Sequence, residues 1–548
     1  MQYSKIFLLA ILFIGLFTAC DEQKTETAAV TTQEEIKLGE INFPVTGAAA
    51  AQPYFKKGLL LLHSFEYDDA REAFLEAQQI DSTFAMAYWG EAMTYNHSLW
   101  QKQEKEKAIA ALEKLGADSE ARAALIQTPI EKDFFQAIEI LFGEGTKYER
   151  DVAYKNYMEG LTKKHPDNHE VAAFYAVSLL GSSRNGRDEE LYNQSARIVQ
   201  GIIKENPGHP GALHYLIHSY DDPVHAHLAK TAADSYSNVA PDAAHALHMP
   251  SHIYVALGRW DEVVTSNIAS WNASIKRLER KEIDDKNGSY HAYNWLQYGL
   301  LQRGEVDLAK NLLNKMQIYT AENPEKQARG YLIAMKGAHL VETNDWTGAL
   351  ANIEIETADL PITRRTGYAF LEGMKFYHQN EIDSLQKVIT AIQKDRLKSK
   401  AMVGEKGFAM CSAGGYANKP PNQLDIDMVE VMEMELFAYL ATLKGDFATA
   451  KNWFEKAAAL DEGLNYSFGP PTILKPVHEA YGEWLLTQKQ PEAALTIFEK
   501  SLERHPRRLL SLQGKKRAAE LLKKEVIVKE VEEELAVSLA NKDRGVVL

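Results

Sequence analysis

Eight of the chain's seventeen histidines fall between His209 and His252, in the run HPGALHYLIHSYDDPVHAHLAKTAADSYSNVAPDAAHALHMPSH. Imidazole is the commonest metal-ligating side chain, and its ordinary pKa lies near neutrality. The spacing narrows the chemistry. His214 and His218 are four apart, as are His248 and His252, and His245 stands three before His248. On a helix such offsets bring rings to one face, where they can hold one ion or flank one ligand. Asp221, Asp222 and His225 follow on what reads as a connecting turn. Two such pairs on neighbouring helices with a carboxylate suit zinc or another borderline divalent metal. The same residues also suit a packed network in which each ring is satisfied by a carbonyl or carboxylate. Neither HYLIH nor HMPSH carries the glutamate of the HExxH arrangement, so neither brings its own general base. The chain has no glycine-rich phosphate loop, GxSxG elbow or cysteine-nucleophile motif. No catalytic residue is assigned.

The elements that must position these rings are helices, and they repeat. Gly58, Ala70, Phe74 and Ala77 stand at offsets 0, 12, 16 and 19, and Gly482, Ala494, Phe498 and Ser501 stand at the same offsets. Ala450, Phe454 and Ala457 keep that spacing after the turn Gly445-Asp446. Weaker copies follow Gly258-Arg259-Trp260 and surround Ala309 and Ala349. Small residues let paired helices approach, while the phenylalanine fills the joint to the next pair. No alternating strand pattern runs for any useful length. This frame resembles the tetratricopeptide repeat. The resemblance implies an all-α, right-handed superhelix (an α-solenoid) of roughly 8–10 helix pairs, degenerate between residues 101 and 205.

The resemblance further implies that the first helix of each pair lines a concave groove. The stretch from Asp242 to Leu257 is then a first helix, because Gly258-Arg259-Trp260 follows as the turn, and His248 and His252 face the groove. Pro250 bends that helix or starts it, in which case His245 and His248 precede it. His291 falls on the next first helix, and His63 and His97 on earlier ones, giving a ladder of imidazoles. Trp89, Trp100, Trp260, Trp271 and Trp295 read as core or repeat joints.

The N-terminus speaks to compartment. Lys5, the apolar run Ile6 to Phe17 and Thr18-Ala19-Cys20 resemble a bacterial lipobox, with Phe17 in place of the more usual leucine. That implies a signal peptide over 1–19 and lipid attachment at Cys20. Cys411 is the one remaining cysteine, so no intramolecular disulfide is expected. Cleavage would remove Lys5 alone from a chain of formal charge −15, which disfavours nucleic acid as a partner. Residues 20–50 then form the lipidated cysteine and a flexible tether. N-terminal repeats follow over 51–205, His-rich central repeats over 206–300 and middle repeats over 301–403. A Gly/Pro-rich loop spans 404–425, and C-terminal repeats with a capping helix span 426–548. A second Pro-rich stretch, NYSFGPPTILKP at 465–476, must be extended and would either cross the concave face or sit as an insertion between repeats.

FKKGLLLLHSFEYDDAREAFLEAQQID, HYLIHSYDDPVHAHLA and HALHMPSHIYVALGRWDEVV together resemble a group of bacterial tetratricopeptide-repeat lipoproteins of poorly defined function, and more distantly StaR-like tetratricopeptide proteins. The expected role is a membrane-anchored scaffold that binds a protein or peptide partner in its groove, with a His-rich centre able to take a divalent metal. A metal-dependent binding protein or hydrolase built on His209 to His252 is the alternative. A SusD-type glycan-binding lipoprotein is a second. The expected location is the cell envelope.

Overall fold

The computed structural model describes residues 36–183, 186–284, 288–404, 421–466 and 468–541. The chain divides into two compact units, Met1–Ile36 and Lys37–Leu548, and the second is described here. The signal segment, Cys20 and the first part of the tether lie outside the described residues, as does most of the 404–425 loop.

The second unit is a succession of helical hairpins. It opens with α1 (Gln52–His63) on α2 (Tyr67–Ile80), then α3 (Ala85–Met93) on α4 (Lys105–Glu113). The short α5 (Ser119–Leu125) leads to α6 (Pro129–Leu141) on α7 (Lys147–Lys164), and α8 (His169–Ser182) on α9 (Glu189–Glu205). The histidines occupy the next elements: α10 (Pro210–Ser219) with α11 (Ala226–Val239), then α12 (Ala244–His248) and α13 (Pro250–Ala256) against α14 (Trp260–Arg280). After α15 (Tyr290–Gln302) on α16 (Val306–Glu322), α17 (Lys326–Thr343) is followed by a short 3-10 turn instead of a second helix. Four hairpins finish the array. They are α18 (Ile362–His378) with α19 (Ile382–Lys400), α20 (Gln423–Leu443) with α21 (Phe447–Glu462), α22 (Val477–Thr487) with α23 (Pro491–Arg504), and α24 (Leu509–Leu521) with α25 (Glu525–Leu539).

Eleven hairpins are therefore present among the described residues, against the roughly 8–10 expected. The excess comes from 101–205, where the helices lack the small-large-small signature but are well delimited. Thr128 with Glu131, and Thr146 with Glu149, form reciprocal caps that satisfy the first backbone N–H groups of α6 and α7. The architecture is an all-α superhelix of tetratricopeptide type.

The repeat signature acts through one contact. A Cβ placed on Gly58 would lie 2.7 Å from the ring of Phe74, and one on Gly90 would clash with the same ring. The Phe74 ring, wholly buried, thus fills the joint between α1 and α3, at sites where any larger residue would push the helices apart. Phe498 stands in the same relation to Gly482 and Gly514.

Three departures from expectation bear on function. His97 is not on a first helix. It lies on β1 (Asn96–His97), paired antiparallel with β2 (Lys102–Gln103) in a small hairpin between α3 and α4. The C-terminal part of the expected tether is bound to the array. Leu38 and Phe43 are buried, the Glu40 amide donates to Gly208 O (2.8 Å), and Thr46 donates to Glu131 (2.8 Å). Finally, the array closes on itself. Trp260 Nε1 donates to Arg507 O at 3.0 Å, and Arg508 donates to the Tyr298 hydroxyl at 2.8 Å, across more than two hundred residues in each case. The Pro-rich stretch before α22 crosses the inner face. Gly469 (φ +96°) lies so close on Trp295 that no Cβ would fit, and Leu474 packs on Gly337 of α17.

Candidate metal centre

Two triads of imidazoles lie side by side inside this closed array. His214, His218 and His245 form one, and His248, His252 and His291 the other; within each, the ligand nitrogens lie within 4.8 Å of one another. Helix periodicity supplies the pairs. His214 and His218 are one turn apart on α10, and His248 and His252 one turn apart across the α12–α13 junction. Pro250 sits there as the first residue of α13 and bends the helix without separating the rings. His245, at the start of α12, reaches the first triad, and His291 reaches the second from α15. Rings of the two triads adjoin, with centroids 5.3 Å apart for His218 and His252 and 5.8 Å for His245 and His248.

The outer partners set the tautomers. His214 Nδ1 lies 2.8 Å from His63 O, so Nδ1 carries the proton and Nε2 a lone pair. His248 Nδ1 lies 2.7 Å from Asn267 Oδ1, which is the oxygen because Asn267 Nδ2 donates to Val263 O. His291 Nδ1 meets the Tyr331 hydroxyl at 3.2 Å. His218 Nδ1 and His252 Nδ1 both face Asp221 Oδ2, at 3.3 and 3.2 Å. In the first triad, Nε2 of His214, His218 and His245 are all buried without a hydrogen-bond partner. In the second, His248 Nε2 and His252 Nε2 face each other at 3.2 Å. Two imidazole nitrogens bound tetrahedrally at ~2.05 Å from one ion stand about 3.3 Å apart. Tied Nδ1 groups behind convergent Nε2 lone pairs are the pattern of metal-ligating histidines.

Electrostatics agree. Burial, reinforced by neighbouring imidazoles, holds His214, His245 and His248 well below their ordinary pKa, and His291 down to about 3. Burial also lowers His252, against the opposing pull of Asp221. These rings are neutral, the form a metal requires, so binding displaces no protons from them. Burial alone would raise Asp221, but hydrogen bonds from His218 and His252 and the charge of Arg187 hold its carboxyl below the usual range. Arg187 Nη2 reaches Asp221 Oδ1 at 3.0 Å.

The sequence candidates divide accordingly. His214, His218, His245, His248, His252 and His291 converge. Asp221 is beside them: its Oδ2 is engaged by Nδ1 of His218 and of His252 and its Oδ1 by Arg187, and with those two rings it forms another group whose ligand atoms lie within 4.8 Å of one another. Asp222 pairs with Arg187 and caps the turn at Val224 and His225. His225 bonds to Asp222 (2.9 Å) and stacks on Tyr220, apart from both triads. His97 stacks on Tyr67 with centroids 3.9 Å apart and joins neither triad. His63 contributes through its carbonyl to His214. Asn267, Tyr331 and Arg187 were not expected; as isolated residues on separate helices they carry no spacing signal.

Beneath the first triad, Glu170 is wholly buried between His63 Nε2 (2.7 Å) and His209 Nε2 (3.2 Å). His209 Nδ1 accepts from the Ala212 amide, capping α10, and His63 Nδ1 meets Tyr215 Oη at 2.9 Å. Three of the four ring nitrogens are thus hydrogen-bonded, while His209 Nε2 lies 3.2 Å from Glu170 Oε1 without forming a hydrogen bond, and the three side chains make a further buried group whose ligand atoms lie within 4.8 Å of one another. Although burial alone would raise Glu170, the two imidazoles hold it below the usual carboxylate range. A depressed carboxylate pKa contributes stability that is complete above the unfolded value of about 4.3 and is lost as pH falls below it. Glu170→Gln sets an amide donor against an imidazole donor, and should lower unfolding free energy by about 3 kcal/mol at pH 7. Urea unfolding at pH 7 and pH 3 checks this: the gap between variant and wild type should narrow at pH 3.

One side of the paired triads opens on a cavity of about 380 Å³, to which His218, His245, His252 and His291 are exposed. Trp100, Leu180, Tyr192, Met428, Phe468 and Ile473 are among the residues that line it. Phe468, from the crossing segment, stacks on His252 with centroids 5.6 Å apart and planes 17° apart. The concave face at this level is therefore filled from the protein's own chain.

No family model matches the sequence, and no curated protein matches it. Among solved structures the chain is similar to the Cut9–Hcn1 hetero-tetramer of the APC/C, at 13% identity and a TM-score of 0.36, covering 88% of this chain and 79% of that one. Yeast Tom70 matches at 14% identity and a TM-score of 0.30, covering 88% and 99%. The human IFIT1 dimer with PPP-AAAA matches at 13% and 0.33, covering 91% and 96%. Likeness at this level is one of fold alone, and the chain's architecture rests on its own hairpin packing.

Proposed function

We propose that this protein is a metal-dependent protein with a paired centre, three imidazoles to each ion, opening on a cavity sized for a small molecule. The observation that carries this reading is the orientation of the six rings. Five have Nδ1 tied to an outer partner, and the Nε2 atoms of His214, His218 and His245 are buried with no partner at all. Three buried ring nitrogens without a partner in one place are costly unless something binds them. All-imidazole sets with an open position suit zinc or copper and disfavour magnesium or calcium.

The peptide-binding groove fits less well, because residues 468–476 occupy the inner face beside the centre. We also read the chain as a cell-envelope lipoprotein held through Cys20, on the strength of residues 1–20 alone. Among the described residues no helix is long and apolar enough to cross a membrane.

Metal analysis of untagged protein offered zinc or copper tests the centre. The expected content is about two equivalents per chain. A content that stays below about 0.3 equivalents would overturn the reading.

A further inference from the structure

We propose that Glu435 is a proton-binding site: it is held as a neutral carboxylic acid at pH 7 in the interior of the C-terminal half, so that the array loosens as pH rises. The site stands apart from the imidazole centre.

The interior there holds one carboxyl too many. Glu342 of α17, Glu435 of α20 and Glu479 of α22 share it with two cations, Arg508 and Lys475, and all five side chains are buried. The cations are taken up by the other two carboxyls. Arg508 Nε and Nη2 donate to Glu479 Oε2 and Oε1 at 2.8 and 3.0 Å, and its Nη1 lies 2.6 Å from Glu342 Oε1. Lys475 Nζ donates to Glu479 Oε1 at 3.0 Å and to Glu483, at the solvent rim, at 2.6 Å. Glu435 is wholly buried, and neither of its oxygens has a hydrogen-bond partner. The excess charge therefore falls on the carboxyl that nothing holds. A buried carboxylate without a partner is relieved by taking up a proton.

The elements packed on α20 bring no free cation to it. Asp461 of α21 adds a further carboxyl, 3.2 Å from Arg504 and 3.7 Å from His478. On α19, Arg396 is bound to Glu430 and Glu433. From α18 come Tyr377, against Tyr439, and His378, stacked on Trp346. Met432 and Ala438, three residues to either side on α20, are wholly buried. Burial, with the charges of Asp461 and Glu479, pushes Glu435 well above the usual carboxylate range, against the opposing pull of Lys475. Its ionisation would place an unpaired charge beside the joint between Lys475, on the crossing segment, and α22.

Infrared spectra of the full chain at pH 7 should show a protonated-carboxyl stretch that is absent from Glu435→Gln and kept in Glu342→Gln. Urea unfolding gives a second readout. With a raised folded pKa, the stabilising contribution is complete below about 4.3, where the unfolded glutamate is protonated too, and is lost as pH rises towards the folded value. Glu435→Gln stays neutral throughout. Its unfolding constant should therefore fall relative to that of the wild type by about tenfold per pH unit between pH 5 and pH 7. Parallel pH profiles, a variant less stable than the wild type at pH 7, or a carboxyl stretch lost in Glu342→Gln instead would overturn the assignment.

Discussion

His252→Ala should lower the metal content of the proposed centre from two ions per chain to one, whereas Asp221→Asn should leave room for two but weaken both. The difference follows from position. His252 Nε2 faces His248 Nε2 across 3.2 Å in the second triad, while its Nδ1 shares Asp221 Oδ2 with His218. Its loss leaves two rings there and does not touch His214, His218 or His245. Asp221 Oδ2 meets Nδ1 of His218 in one triad and Nδ1 of His252 in the other. Replacing that oxygen pair by an amide removes the orienting charge from one ligand of each site. Loss of such an outer partner typically weakens metal affinity by about 10–100-fold. A competitive zinc titration against a chromophoric chelator separates the cases. An Asp221→Asn protein that loses one site and keeps wild-type affinity at the other would show that the carboxylate serves a single triad. Circular dichroism of the metal-free variants guards against a folding defect.

The second large effect concerns the frame that brings the rings together. Phe74→Ala should destabilise the chain by about 3–5 kcal/mol, the usual range for truncating a buried phenylalanine whose surroundings cannot collapse. Collapse is blocked here because Gly58 and Gly90 already allow the closest approach of α1 and α3, leaving no side chain to fill the space. The loss should reach the metal centre, since His63, at the end of α1, supplies the carbonyl that fixes His214. Denaturant unfolding measures the first effect and zinc affinity the second. A change under about 1 kcal/mol would mean that the joint repacks and that the glycine-phenylalanine contact is not what sets the hairpin spacing.

Much of the fold was legible from residue spacing. Gly58, Phe74, Gly482 and Phe498 appear at fixed offsets because a close helix crossing needs a missing side chain opposite a large one. The hairpins around Thr128 and Thr146 were harder to see, because reciprocal capping sets their ends while their seams use ordinary mixed apolar residues. His97 misled for a related reason. The apolar run before it continues a helical pattern, and nothing local announces the two-residue strands that end it.

One imidazole pair was determined by the sequence itself. The i,i+4 spacing on α10 places His214 and His218 on one face whatever the tertiary fold, because helix geometry is local, whereas Pro250 left open whether His248 and His252 share a helix. What tertiary structure alone decided is the partnership. His245 joins His214 and His218, while His291, 39 residues beyond His252, joins the second pair; the choice depends on how α12, α13 and α15 pack. It also decided that Asp221 orients rings whereas Asp222 and His225 stand aside, because Arg187 arrives from a distant connection to claim both carboxylates. The closing of the groove by 468–476 rests on contacts between residues well over a hundred positions apart, such as Gly469 on Trp295 and Phe468 on His252. Spacing along the chain records which side chains share a helix face, but it holds no record of which faces meet.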